Sequence, residues 1–412
     1  MSHSGELTPV EQHLTEILAA ITPLTPTELG LNDIGGLVLA EDISAGSALP
    51  SFDNSGMDGY AVRVEDVAAA TGEKPVTLPV TAEVAAGDTG AYALQPGTAI
   101  KIMTGAMLPH GAEAVVPVEW TDGGSARVSI SASAGYGNAI RLAGEDAKAG
   151  EVLVTAGTRL KPMHVAVIAA AGRGSVLVRP RPRVVVLSTG NELTEPGTPL
   201  VPGRIWDSNS FMLAAAAREA GGLACRQAIL PDHPDEVLPA IEDQLVRADL
   251  MVTTGGVSMG GEHDVIKAAL QQLGTITFRK VAMQPGMPQG FGTIALPAAG
   301  GRVPIFTLPG NPVSAYVSFQ VFTRPAIAAL QGYHEPGLEK VQAELTGPLR
   351  SPPGRRSFLR GVLDQARTRV TPLTGQGSHQ IATLGKANAL VVVPEWVVQM
   401  SEGDTAEVLV LP

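Results

Sequence analysis

The chain has 412 residues, a formal net charge of -11 and a pI near 5.2, with 44% hydrophobic and 17% charged residues. That length exceeds one ordinary core and points to about three domains at roughly 150 residues each. The acidic balance excludes general nucleic-acid binding, no apolar run approaches the roughly 18 to 20 residues of a bilayer helix, and the N-terminus lacks a signal-peptide pattern, so a cytoplasmic protein that meets no membrane is expected.

In chain order, Thr8 as N-cap, Pro9 at N1 and Glu11 at N3 begin a helix over 8–22 whose Leu14, Ile17, Leu18 and Ile21 share one face in need of a partner surface. Residues 37–40 read as a strand and 46–59 as a long Gly/Pro-rich loop. Alternation at Val76, Leu78 and Val80, with short strands at 100–103, 114–119 and 126–130, predicts a small all-β domain. From Arg183 strand and helix alternate: strand 184–187, a helix capped by Asp207-Ser208-Asn209 and stopped at Gly221-Gly222, strand 223–230, helix 235–247, strand 250–254, helix 262–273, strands 276–281 and 304–308, and helix 312–330. That rhythm predicts a doubly wound parallel sheet covered on both faces. Strands at 341–345, 358–363, 390–393 and 407–411 predict a second β domain. The single Cys225, in an apolar run, reads as a small buried hydrophobe. The domains expected are 6–49 with 141–179 (the N-terminal helix and a linker domain, helix 8–22 free to pack on the α/β domain), 50–140, 180–332 and 335–412.

Ligands of open parallel sheets bind beyond the carboxyl ends of the strands, where three loops stand out: 188–192 (Ser-Thr-Gly-Asn-Glu), 255–261 (Gly-Gly-Val-Ser-Met-Gly-Gly) and 309–312 (Pro-Gly-Asn-Pro). The loop from Thr253 to Gly261 reads as an anion cradle, since Gly lets the amides of Gly255, Gly256 and Ser258 approach an oxyanion at the start of the next helix; a tight turn is the alternative. It has neither Walker A nor dinucleotide-binding spacing. Asp264 and Lys267 fall on one helix face beside it, as site residues or as a surface pair. Glu192, Asp207 and Asp232 follow apolar strands, and carboxylates gathered near phosphates commonly hold Mg²⁺. Segment 53–61, with Asp53 and Asp58, shows no packing period and reads as a functional loop or a surface turn. Arg141, Arg355, Arg356, Arg360 and the run Gly377-Ser378-His379 supply cations and hydroxyls for an anion, or merely solvated surface. The eight histidines show no metal-ligand spacing, and His263 and His379 read as incidental.

Six ordered motifs resemble one family: Asn54-Ser55-Gly56-Met57-Asp58-Gly59-Tyr60-Ala61, Ile102-Met103-Thr104-Gly105-Ala106, Gly144-Glu145-Asp146, Ser188-Thr189-Gly190-Asn191-Glu192-Leu193, Thr254-Gly255-Gly256-Val257-Ser258 and Leu308-Pro309-Gly310-Asn311-Pro312-Val313-Ser314. This is the molybdopterin molybdenumtransferase family, which includes bacterial MoeA and the gephyrin E domain, and the resemblance spans nearly the whole chain. A molybdopterin adenylyltransferase would match only 183–330. The resemblance implies an α/β and β multidomain fold: a central MoaB-like molybdopterin-binding domain, two small β domains of which the C-terminal one is a barrel, and a mixed N-terminal region. It also implies a homodimer that inserts molybdenum from molybdate into adenylylated molybdopterin, releasing AMP, with Mg²⁺ present. The site would lie between the α/β domain of one subunit and β regions of the other.

By motif, Asp58, Thr104, Glu192 and Asp264 would be catalytic, with Glu192 and Asp264 holding Mg²⁺. Gly255, Gly256, Ser258, Asp232, Lys267, Lys280, Asn311, Arg360 and Ser378 would bind substrate. A molybdopterin adenylyltransferase and molybdoenzyme chaperones are further partners it allows. Departures from the family pattern are Gln284 and Met287, where familiar members or some of them carry Lys, and Leu142 and Ala143, where some carry Arg. Anion contacts would then fall more on Lys280, Arg355 or Arg356. The competing readings are an adenylyltransferase-like nucleotide enzyme and a gephyrin-like scaffold without catalysis.

Overall fold

The structure is a computed structural model that describes residues 7–230, 233–255, 270, 275–296, 301–333 and 337–412. The chain divides into two compact units, Glu28–Leu177 and the combination of Met1–Thr27 with Val178–Pro412.

Helix α1 (Val10–Ala19) belongs to the second of these and answers the need for a partner surface: Val10 and Ile17 enter a core with Val184, Leu213 and Phe319. Pro9, not Thr8, is its N-cap. Thr8 is instead spent on a bridge to Val281, donating its N–H to the Lys280 carbonyl at 2.8 Å and accepting from Ala282 at 2.7 Å. Thr8 thus stands one position before the cap, with both of its backbone polar groups committed to that bridge.

In Glu28–Leu177 the strands β1 (Gly59–Val62), β2 (Val76–Val84), β3 (Ala99–Ile102), β4 (Ala114–Pro117) and β5 (Arg127–Ile130) form one sheet in the order β4-β1-β3-β2-β5. β1 is a strand where the sequence reads as loop and unpatterned segment. All four of its residues are buried, Tyr60 and Val62 in the core on one face and Ala61 in that on the other, so no polar alternation marks it. Gly59 is required by contact: a Cβ there would lie 2.0 Å from the Val116 carbonyl oxygen. Segments 43–44 and 152–154 pair antiparallel, and helix α2 (Pro162–Ala170) follows the second.

The α/β sheet contains β6 (Arg183–Ser188), β7 (Leu223–Arg226), β8 (Leu250–Thr254), β9 (Thr277–Lys280), β10 (Pro288–Ala295) and β11 (Arg302–Leu308), in the order β7-β6-β8-β11-β10-β9. The four strands from β7 to β11 are parallel, whereas β10 is antiparallel to both neighbours, so the sheet is mixed rather than wholly parallel. Sequence reasoning missed β10 because Gly290 and Gly292 dilute its apolar pattern. Both glycines are demanded by packing, a Cβ on Gly292 meeting Ile276 Cα at 2.6 Å and one on Gly290 meeting Phe278 Cε1 at 2.8 Å. One face of the sheet is covered by α1, α3 (Asn209–Glu219), α5 (Pro312–Ser318) and α6 (Arg324–Leu330), the other by α4 (Pro234–Leu245). The single helix expected over 312–330 is interrupted by a π turn at Phe319–Thr323. Pro325 follows at once and has no N–H to return to the preceding turn, which favours that widening. Cys225 is exposed, a correction with a simple cause: β7 is an edge strand, and alternate residues of an edge meet solvent. The helix expected over 262–273 lies outside the described residues except for Leu270, which is buried in the α4 core.

The C-terminal strands β12 (Lys340–Leu345), β13 (Arg356–Leu363), β14 (Arg369–Pro372), β15 (Ala389–Val393) and β16 (Thr405–Val410) close on themselves in the order β13-β14-β12-β16-β15-β13. The result is the expected barrel, which leaves none of these five strands with a free edge. No helix of the described residues is long and apolar enough to cross a membrane.

Candidate active site

Register aligns the carboxyl ends of three parallel strands. Ser188 lies opposite Thr254, and Thr254 opposite Leu308. The loops that leave them touch one another: the Gly255 N–H donates to the Leu308 carbonyl at 3.3 Å, and a Cβ on Gly255 would lie 3.0 Å from the Thr189 carbonyl oxygen. Gly255 has φ +88°, which favours glycine, and Gly310 packs 3.8 Å from its Cα when given a Cβ. This close approach of backbones opens a crevice of about 640 Å³ in front of them, lined by Glu192, Gly255 and Asn311 together with Thr189, Trp206 and His379.

Beneath the crevice lies a buried polar network. The Asp207 carboxylate, 1% exposed, accepts from the Ser188 hydroxyl at 3.3 Å, the Ser210 N–H at 3.1 Å and the Ser210 hydroxyl at 2.5 Å, and Ser188 lies 3.1 Å from the Thr254 hydroxyl. A buried carboxylate is tolerated when donors satisfy it, and these fix the start of α3 against the ends of β6 and β8. Asn209 ties the same corner to the third loop, its side-chain amide donating to the Gly310 carbonyl at 2.6 Å. Glu192 is exposed and folds back over Gly190, where a Cβ would lie 2.5 Å from Oε2. Among the described residues no group of three or more His, Cys, Asp or Glu could hold a metal. A hydrated Mg²⁺ needs only one or two carboxylates besides phosphate oxygens, and the exposed Glu192 fits that limited part.

The loop 375–381 closes the crevice from the barrel side, with His379 and Ile381 in its lining and the Ser378 carbonyl accepting from the Val313 N–H at 3.1 Å at the start of α5. Arg360 underlies this loop and does not reach the crevice. It is 1% exposed, and its guanidinium donates to the carbonyls of Gly375 at 2.6 Å, Gln380 at 3.0 Å and Gly377 at 3.2 Å. Arg360, expected to bind substrate, here holds the Ser378 loop through these donors. Ser378 itself is half-buried beside the crevice.

Lys280 ends β9, exposed at the same edge of the sheet as the crevice but two strands beyond β11. Arg356 is occupied by ion pairs to Glu11 and Glu395. Arg355 lies against Gln284, Nη1 to Oε1 at 3.5 Å, beside one of the two positions where the sequence lacks an expected lysine. Asp232, Gly256, Ser258, Asp264 and Lys267 lie outside the described residues.

In the other unit Asp58 and Thr104 are in direct contact. One Asp58 oxygen accepts the Thr104 N–H at 2.7 Å and its hydroxyl at 2.8 Å. The backbone bond first and the hydroxyl second hold the Asp58 carboxyl below the usual carboxylate range, so it is ionised at neutral pH. Both residues are exposed, on loops joined by the Ser55 N–H to the Ala106 carbonyl at 3.0 Å and the Gly105 N–H to the Ser55 carbonyl at 2.8 Å. Sequence reasoning left Trp206 and Asn209 out of the site and read His379 as incidental, whereas all three line the crevice. The first two follow strand β6 by some twenty residues, and only the pairing of 193–194 with 205–206 returns them to its end.

Three family models cover most of the chain: MoeA N-terminal region (domain I and II) over residues 8–172, a probable molybdopterin binding domain over 185–329, and MoeA C-terminal region (domain IV) over 342–411. Molybdopterin molybdenumtransferase 2 of Mycobacterium tuberculosis is 44% identical, covering 97% of this chain and 98% of its own. The molybdopterin molybdenumtransferase of Bacillus subtilis is 35% identical over 90% of this chain and 87% of its own. A crystal structure of a molybdopterin biosynthesis MoeA protein from Pyrococcus horikoshii superposes with a TM-score of 0.83 at 32% identity, covering 98% of this chain and 99% of that one. With its barrel, α/β sheet and N-terminal β unit in matching order, the chain belongs to the MoeA family of molybdopterin molybdenumtransferases, enzymes of molybdenum cofactor biosynthesis.

Proposed function

We propose that this enzyme takes adenylylated molybdopterin and molybdate as substrates, inserts the metal and releases AMP. The observation that carries the reading is the crevice at the carboxyl ends of β6, β8 and β11, where Glu192, Gly255 and Asn311 converge within the molybdopterin-binding domain. The backbone of that corner binds and orients, since Gly255 brings its loop against the neighbouring one and the buried Asp207 network prevents the walls from shifting.

Charge sets the main difficulty. Molybdate is a dianion and the other substrate carries phosphates, so the two repel unless cations lie between them. Lys280 and Arg355 among the described residues, and Lys267 with the amides of Gly256 and Ser258 from the sequence, are the groups assigned to this. Glu192, with Asp264, would hold Mg²⁺, which when bound supplies neutralisation of charge that develops at the phosphate linkage as AMP leaves. Asp58, kept ionised by Thr104, is the second catalytic carboxylate, and a homodimer in the cytoplasm completes the reading. The test supplies adenylylated molybdopterin, Mg²⁺ and molybdate to purified protein and follows AMP. Release that depends on molybdate is expected, and is expected to stop in folded Asp58→Ala and Glu192→Ala variants. No molybdate-dependent release from the unaltered chain would overturn the function, and full turnover in both variants would overturn the residue roles. Turnover of ATP with unadenylylated molybdopterin would point to adenylyl transfer instead.

A further inference from the structure

Among the described residues the crevice is polar at its floor and lined by no fixed positive charge. Its described lining includes the acidic Glu192 and Asp207 and neither Lys nor Arg. A phosphate seated against that floor would meet like charge. One wall is apolar instead, formed by Ile205 and Trp206, which are 57% and 50% exposed.

Trp206 is held as a fixed plate. Its indole N–H donates to the Thr198 carbonyl at 3.0 Å, the Ile205 N–H to the Glu192 carbonyl at 2.8 Å and the Asp207 N–H to the Thr194 carbonyl at 3.0 Å. The polar edge of the ring is thus satisfied, and no ring or cation of the described residues stacks on its open surface. Asn209, in the same lining, keeps a second unspent group. Its amide nitrogen is committed to Gly310, which leaves the side-chain oxygen buried with no partner among the described residues. Buried acceptors are rarely left unpaired. A rigid aromatic wall beside an unused acceptor suits a planar heteroaromatic ring that carries N–H donors.

We propose that Trp206 stacks on the heteroaromatic ring of the ligand while Asn209 Oδ1 accepts one of its N–H groups, so that this crevice takes the ring end of the substrate and the phosphates lie beyond it. The inference rests on the proposed function and narrows it. Pterin and adenine share the required chemistry, and both occur in adenylylated molybdopterin.

Calorimetric titration with 6-hydroxymethylpterin and, separately, AMP distinguishes the two. One of the probes is expected to bind the unaltered chain, to bind Trp206→Leu about tenfold more weakly, and to recover most of its affinity in Trp206→Phe, with thermal unfolding the same in all three. The probe that behaves this way identifies the ring. Equal affinity in Trp206→Leu, or binding of neither probe to the unaltered chain, overturns the proposal. A chain that binds a probe through Trp206 yet releases no AMP would overturn the function and leave the stacking site standing; normal AMP release with affinity indifferent to Trp206 would do the reverse.

Discussion

Replacing Arg360 by Lys separates two roles for that residue, direct contact with substrate or support of the loop that carries Ser378. In the structure its guanidinium satisfies the carbonyls of Gly375, Gly377 and Gln380, and Gln376 braces it further through Oε1 at 3.4 Å from Nε. Burial lowers its pKa, but a guanidinium remains charged throughout the neutral range. A lysine ammonium is a single point that reaches one of those carbonyls and leaves about two unpaired. At about 1 to 3 kcal/mol for each unsatisfied buried group, the loss centres on about 4 kcal/mol. At the roughly 2 to 4 °C per kcal/mol of a large unit that is a fall in Tm of roughly 8 to 16 °C. The loop also lines the crevice and is tied to Val313, so KM for adenylylated molybdopterin should rise with the loss of order while kcat falls less. Differential scanning calorimetry and steady-state AMP release measure the two. If Arg360→Lys keeps its Tm and loses substrate binding outright, the supporting role is wrong and Arg360 touches the ligand.

Thr104→Val removes the hydroxyl bond to Asp58 and keeps the backbone one. The Asp58 pKa should move part of the way back up, so activity should begin to fail at a higher pH as acid is added; an unmoved acid limb of the kcat/KM profile would contradict this. His13, stacked edge-on against Phe322 with ring centres 4.9 Å apart, has its pKa lowered from 6.5 to about 4, by burial first and by Arg279 second. The unfolded chain therefore binds a proton that the folded one refuses, and stability is full above pH 6.5 and falls as pH drops towards 4, by about 3 kcal/mol in all. Urea titrations of His13→Leu at pH 7.5 and 4.5 should show that this part of the acid loss has gone, and an unchanged pH dependence would refute it. Gly59→Ala should destabilise the small β unit by about 3 kcal/mol, since the Val116 backbone cannot yield as a side chain would. Trp120 fluorescence, the only tryptophan signal of Glu28–Leu177, reports that unfolding; a midpoint equal to that of the unaltered chain would remove the packing argument.

The residues most legible in the sequence were those whose chemistry is local. Continuous apolar runs marked β6, β8 and β11, the Gly-rich and Pro-Gly-Asn-Pro turns marked the loops at their ends, and the ordered motifs marked Asp58, Thr104 and Glu192 before any fold was known. β1 and β10 stayed hidden because their identity depends on neighbours: one is buried on both faces and so lacks alternation, the other owes its glycines to Ile276 and Phe278 pressing from the adjoining strand. Arg360 reads in one dimension as a free cation, and only closure of the barrel buries it among carbonyls. Sequence by itself determined the domain classes, the strand ends where a ligand can sit and the carboxylates available there, because propensity, turn chemistry and charge belong to single residues and short spacings. Tertiary structure alone decided which polar groups remain unspent, setting Trp206 and Asn209 beside Glu192 and withdrawing Asp207 and Arg360 into supporting bonds, because hydrogen-bond satisfaction and exposure are set by partners distant in the chain.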